Sequence, residues 1–271
     1  MIVAAYLSGY NSITVTFDPG IPNLASYVSE VKNLARIKLA GIEVIEEQFN
    51  SITFKILLNI RELPLISALR RLHLIVSNML EDTKNLLRNF DVNLAQAIIQ
   101  RDDEADRFHH MIFRELSMSL LDIRVQHELG ITNIVETLNY RIIARNLERI
   151  ADHAVNIAKR ILGMGEGFKG SQAVYDLLVK ASELFNKSMG TLYNLSRKDA
   201  EEVIKTSKIL IDEIERVLRD EIINSPSLTD KEKAGLAQIC DSIRRIVRYS
   251  NGIAEAVLNI KIAKNSSIEI K

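Results

Sequence analysis

The sequence predicts a mainly α protein: two tandem three-helix bundles preceded by a small α+β subdomain. Three observations predict it. Beyond about residue 62, every long segment repeats apolar residues at three- and four-residue spacing. Four of the eleven glycines fall between Gly163 and Gly170, dividing that helical part into two runs of three. Ahead of both, Ile13, Val15 and Phe17 alternate with Thr14 and Thr16, the period of a half-buried strand. The expected domains are residues 1–60, 61–163 and 171–265.

In the first sixty residues, Asp18-Pro-Gly-Ile-Pro22 ends the strand with turn chemistry. A helix follows from about Leu24 to Leu39, stopped by Gly41. Val44-Ile45 and Ile52-Phe54-Ile56 flank Asn50-Ser51 and read as a hairpin. The first bundle begins with a helix from Leu65 to about Phe90, with Pro64 near its first turn. Asp91 is the expected N-cap of a second helix reaching about Leu121, and a third runs from about Asn133 to Leu162. The second bundle has helices over about Ser171–Leu195, Asp199–Ile223 and Thr229–Ile262. Thr229-Asp-Lys-Glu232 reads as a capping box. The tail from Asn265 is expected to fray.

Composition narrows the function. Of 271 residues 47% are hydrophobic, enough for a core. Lys+Arg and Asp+Glu each number 35, so no net field draws the molecule to nucleic acid or to an anionic membrane. The single cysteine, Cys240, excludes an intrachain disulfide framework and reads as a small buried residue on a helix. No apolar run is long enough to span a bilayer. The apolar start Met1–Leu7 lacks the basic flank of a signal peptide, and its abruptness suggests a missing upstream portion. Gly-rich phosphate loops, His-Glu-x-x-His and Gly-x-Ser-x-Gly are all absent. Nothing in the pattern demands a catalyst.

The chemistry concentrates in Leu147-Glu-Arg-Ile-Ala-Asp-His-Ala-Val-Asn-Ile-Ala158. Glu148, Asp152 and Asn156 recur every four residues and share one helix face, while Ile150, Ala154, Ile157 and Ala158 share another. One helix earlier, Arg101-Asp-Asp-Glu-Ala-Asp-Arg107 sets Asp102 and Asp106 at the same spacing. Like charges so placed repel and need a compensating cation. Arg101, Arg107, Arg145 and Arg149 are one source, and a hard divalent ion or an iron or zinc cluster is another. His153 and Asn156 are candidate supporting groups, as are His109 and His110, although the Glu-x-x-His pattern of di-iron bundles is missing. A solvated, salt-bridged acidic face is the competing reading.

The two halves repeat. Arg145, Glu148, Asp152 and Asn156-Ile157 lie over Arg248, Asn251, Glu255 and Asn259-Ile260, and Asp103–Arg107 lies over Asp212–Arg216. These motifs, with the three-plus-three helix plan over roughly residues 62 to 265, resemble the phosphate-uptake regulator family PhoU. The resemblance implies two tandem three-helix bundles, a homodimer, and iron or zinc, even a multinuclear cluster, held by paired acidic motifs. Carried over, those ligands are Asp102, Asp106, Glu148 and Asp152 in the first bundle. Ile211 and Asn251 stand at two of the four corresponding places in the second, leaving a degenerate pair, Glu215 and Glu255. Residues 1–60 resemble the connecting region of archaeal members, in which an AbrB-like DNA-binding domain comes first and is here missing. The implied function is a cytoplasmic, non-enzymatic regulator that contacts the phosphate ABC transporter's ATPase or a sensor kinase, with neither nucleic-acid binding nor membrane insertion by this portion. Two alternatives stand beside it: the effector and dimerisation module of a metal-dependent transcription regulator, and a di-metal carboxylate enzyme or metal store.

Overall fold

A computed structural model describes residues 1–59, 63–166, 168 and 171–264. The expected boundary at residues 60 and 61, part of the glycine linker (Gly167, Gly170) and the tail from Asn265 lie outside them. The fold is mainly helical with one small sheet, as expected. In chain order the elements are α1 (Ile2–Leu7), β1 (Ser12–Thr16), α2 (Leu24–Lys38), β2 (Ile42–Gln48), β3 (Ser51–Ile56), α3 (Leu65–Arg88), α4 (Val92–Ser119), α5 (Ile123–Glu128), α6 (Ile134–Met164), α7 (Gln172–Asn194), α8 (Arg197–Val217) and α9 (Asp230–Lys264). A π-helical stretch, Leu218–Ile223, extends α8. The long helices start and stop close to the expected places because their apolar stripes are long. Both six-residue helices, α1 and α5, are too short to carry such a stripe, and the sequence pattern did not mark them.

The chain forms two compact units, Met1–Leu72 with Asp103–Thr137, and His73–Asp102 with Leu138–Lys271. These divisions run through α3, α4 and α6, whereas the expected domains follow the chain. The first unit holds the sheet, in the order β1-β3-β2 with both pairings antiparallel. Its core gathers Tyr6 of α1, Ala35 and Leu39 near the end of α2, and Ile13, Ile42, Ile52, Phe54 and Ile56 of the sheet. Strand alternation sends these inward and leaves Thr14 and Thr53 paired outside, their hydroxyls 3.0 Å apart. Gly41, at φ +64°, makes the turn from α2 into β2, where a Cβ would lie 2.6 Å from Leu58 Cγ.

The second part of α4 is bound into the first unit by side chains reaching α2 and α1. Arg107 Nε donates to the Ile37 carbonyl and His110 Nδ1 to that of Lys38, capping two carbonyls at the C-terminus of α2. Arg114 reaches the loop after α1. Such contacts, far apart in sequence, explain why a unit boundary cuts a continuous helix.

The second unit packs α7, α8 and α9 around apolar side chains including Phe185, Leu178, Ile214, Ile243 and Val247. Its caps follow the sequence: Thr229 and Glu232 bond reciprocally (Thr229 N–H to Glu232 Oε2 2.8 Å, Glu232 N–H to Thr229 Oγ1 3.3 Å). Asp91 caps α4 through the N–H groups of Asn93 and Leu94. Ser196 caps α8 and starts it two residues earlier than expected. Cys240 is fully buried in α9, and burial pushes its thiol up to about 12. The native protein should therefore resist a water-soluble disulfide reagent and release one equivalent of chromophore only after denaturation. Rapid stoichiometric labelling of the folded chain would contradict this burial.

Candidate functional site

On α6 the helical period sets Ile150, Ala154, Ile157 and Ala158 into the core and turns Glu148 and Asp152 toward the opposite side. Glu148 is 9% exposed, whereas Asp152 and His153 are half-buried and Asn156 is exposed. Arginines on the same helix meet the acids: Arg145 Nη1 lies 3.2 Å from Glu148, and Arg149 Nη1 lies 3.0 Å from Asp152. Arg149 Nε also stands 3.8 Å from the second Glu148 oxygen. The expected arginine compensation is present on this helix, at three-residue spacing.

On α4 the compensation comes from elsewhere. Arg101 pairs with Asp82 of α3, not with Asp102. Asp106 pairs with Lys38, whose ammonium lies 2.7 Å from it and 2.6 Å from Asp103. Desolvation opposes the charge on Lys38, but hydrogen bonds to Asp103 and Asp106 outweigh it and raise its pKa. Asp102 belongs to the second unit and Asp106 to the first. Among the described residues, no three His, Cys, Asp or Glu side chains are placed together to hold a metal ion. In donor chemistry these carboxylates suit iron or zinc, but as arranged Asp106 is committed to Lys38, and Glu148 and Asp152 to Arg145 and Arg149.

The second-bundle pair is also engaged. Asn251 donates to Glu255 Oε1 at 2.7 Å and accepts from Ser207 at 3.0 Å, while exposed Glu215 stands 4.0 Å from Arg244. The Asn in place of a carboxylate thus turns a like-charge pair into an amide-to-carboxylate hydrogen bond. The histidines have structural work. His110 caps α2. His109 is buried edge-to-face on Phe113. His73 bonds Tyr193 and Asn186 at 3.0 and 2.9 Å. His153 stacks on Tyr249, with centroids 5.8 Å apart, and burial holds its pKa below the ordinary imidazole value.

Three charged residues without any motif signature prove central. Lys38 is one. The others are Arg114 and Glu115, 2% and 3% exposed. Arg114 donates to the carbonyls of Tyr6 (2.9 Å) and Tyr10 (2.8 Å) and to Asn11 Oδ1 (2.7 Å). Glu115 is pushed up to about 8 by burial, only partly offset by Arg114. A half-buried lysine and a buried arginine and glutamate, all near helix ends, leave no spacing that a sequence pattern detects.

Comparison with known proteins points in one direction. The PhoU domain family model matches residues 69–161. The PhoU homolog 1 of Thermotoga maritima, a phosphate-specific transport system accessory protein, is 22% identical over 215 residues, covering 76% of this chain and 89% of that protein. The PhoU homolog of Caulobacter vibrioides is 31% identical over 98 residues, covering 36% and 39%. The crystal structure of the phosphate transport system regulatory protein PhoU from Streptococcus pneumoniae superposes with a TM-score of 0.65 at 16% identity, over 75% of this chain and 96% of that one. PhoU from Pseudomonas aeruginosa gives 0.63 at 19% identity, over 72% and 94%. These relatives are bacterial, and at such identities the solved structures establish the shared helical fold.

Proposed function

We propose that this chain, a member of the PhoU family through its residues 69–161, regulates phosphate uptake by contact with other proteins rather than by catalysis. The relatives bear the names of accessory and regulatory proteins of phosphate transport. The observation that carries the contact mechanism is the α6 face, where exposed Arg145 and half-buried Arg149 and Asp152 stand together, backed by buried Glu148. Such a mixed-charge surface matches a complementary partner patch and repels a wrong one. No helix among the described residues is long and apolar enough to cross a membrane. The fitting site of action is the cytoplasm, and the partner is the ATPase of the phosphate ABC transporter or the sensor kinase that reports on it, met by a homodimer. Binding shifts that partner's conformational balance through differential affinity for its states.

Biolayer interferometry with the purified transporter ATPase tests this. Wild-type protein is expected to bind, and Asp152→Lys to bind about tenfold more weakly, one charge reversal being worth about 1.4 kcal/mol. Equal affinities would remove α6 from the interface, and binding to neither ATPase nor kinase would remove the contact mechanism.

The metal site is a separate proposal, resting on donor chemistry at Asp102, Asp106, Glu148 and Asp152. When bound, iron or zinc would supply the positive charge that these acids require. Lys38, Arg145 and Arg149 supply it to Asp106, Glu148 and Asp152 in the arrangement described above, and each would have to release its carboxylate. The expected result is iron or zinc in protein purified without chelator and its loss in Asp152→Ala. Equal metal in both, or none in either, discards the site.

A further inference from the structure

A cavity of about 620 Å³ lies beside β1 in the first unit. Residues 13–16 form one wall, α1 contributes Ile2 and Ala5, and α2 contributes Tyr27, Val31 and Leu34. Glu30 is the acidic side chain on this otherwise largely apolar lining. Because the sheet order is β1-β3-β2, β1 has one side without a strand neighbour among the described residues. Ladder register fixes what that side offers. Ile56 N–H donates to the Asn11 carbonyl and Phe17 N–H to that of Asn50, so odd-numbered residues face β3. Ser12, Thr14 and Thr16 therefore direct their N–H and C=O groups outward, along the cavity.

The two edges of the sheet differ. β2 is bulged between Val44 and Glu46 and carries Glu43, Glu46 and Glu47, the last paired with Lys32 at 2.7 Å. Bulges and charges are the usual protections of an edge against strand addition. β1, Ser-Ile-Thr-Val-Thr, has neither.

We propose that the β1 groove receives an extended peptide segment of a partner protein, added as a fourth strand. Its backbone pairs with Ser12, Thr14 and Thr16. Alternate apolar side chains enter the cavity between α1 and α2, and a lysine or arginine meets Glu30. Main-chain bonds supply affinity, and the cavity with Glu30 supplies selection. A second copy of β1 fits less well, because its inward Ile13 is already packed in its own core and would leave the cavity unfilled. This proposal stands on the first unit alone and is untouched by the outcome with the transporter ATPase.

The test uses the full chain and fluorescein-labelled Gly-Val-Thr-Lys-Thr-Val, beside a peptide with Glu in place of Lys, read by fluorescence anisotropy. The Lys peptide should bind about tenfold tighter. Thr14→Pro removes one outward N–H at a place where an edge strand tolerates proline, and should weaken binding about fivefold. Glu30→Lys should reverse the order of the two peptides, an effect that mere structural damage would not produce. Three results would overturn the proposal: no binding of either peptide at millimolar concentration, an order unchanged by Glu30→Lys, or a sedimenting dimer that Thr14→Pro dissociates, which would give the edge to a second copy.

Discussion

Replacing Arg114 with leucine is expected to destabilise the first unit by about 3–5 kcal/mol, the cost of leaving three buried or part-buried acceptors without their charged donor. Leucine retains much of the apolar bulk but none of the donors. The carbonyls of Tyr6 and Tyr10 and the amide oxygen of Asn11 lose their partner together. Hydrogen bonds to a charged donor are worth about 1.5–3 kcal/mol each, and here they are not additive because one side chain makes all three. The loss falls where α1 turns into β1, so amide exchange should accelerate there first, ahead of α7–α9. Denaturant titration with exchange mass spectrometry measures both effects. A loss under 1 kcal/mol with unchanged exchange would mean that Arg114 does not anchor this layer.

Glu115→Gln is expected to change the pH dependence of stability more than its value at low pH. The folded carboxyl titrates at about 8, against 4.5 when unfolded. Between these values the folded state keeps a proton that the unfolded state has released, so wild-type stability falls as pH rises. The contribution is fully present below pH 4.5 and gone above about pH 8. At about 1.4 kcal/mol per pH unit, less the relaxation of the site once ionised, roughly 3 kcal/mol is lost across the window. Glutamine has the same shape and no charge, so its profile should lack this downward slope. His153 acts with the opposite sign in the second unit. Its depressed pKa stabilises the neutral fold at higher pH and costs stability as pH falls below the ordinary imidazole range. Thermal unfolding from pH 5 to 9 reads the Glu115 slope, and superposable wild-type and Glu115→Gln profiles would contradict the burial of a carboxyl at this position.

Much of the fold was legible because its signals are local. Asp91, Thr229 and Glu232 cap through residues two or three positions away, and the apolar stripes of α3, α4, α6 and α9 run through six turns or more. The candidate site was legible only along each helix. Spacing foretold that Glu148 and Asp152 share a face with basic neighbours, and Arg145 and Arg149 are those neighbours. Arg101 and Arg107 do not pair with Asp102 and Asp106 as the sequence suggested. Arg101 meets Asp82, Arg107 meets a backbone carbonyl, and Asp106 is met instead by Lys38, 68 residues away. Arg114 reaches Tyr6 across 108 residues. Pairings over such distances leave no periodicity in the chain, since tertiary packing alone brings their members together.

The most direct measurement is phosphate uptake in the source organism. Cells lacking this gene, grown in excess phosphate, should take up radiolabelled phosphate faster than the parent. The wild-type gene should restore control, and the Asp152→Lys gene should restore it poorly. Uptake that is the same with and without the gene would contradict a role in regulating phosphate transport.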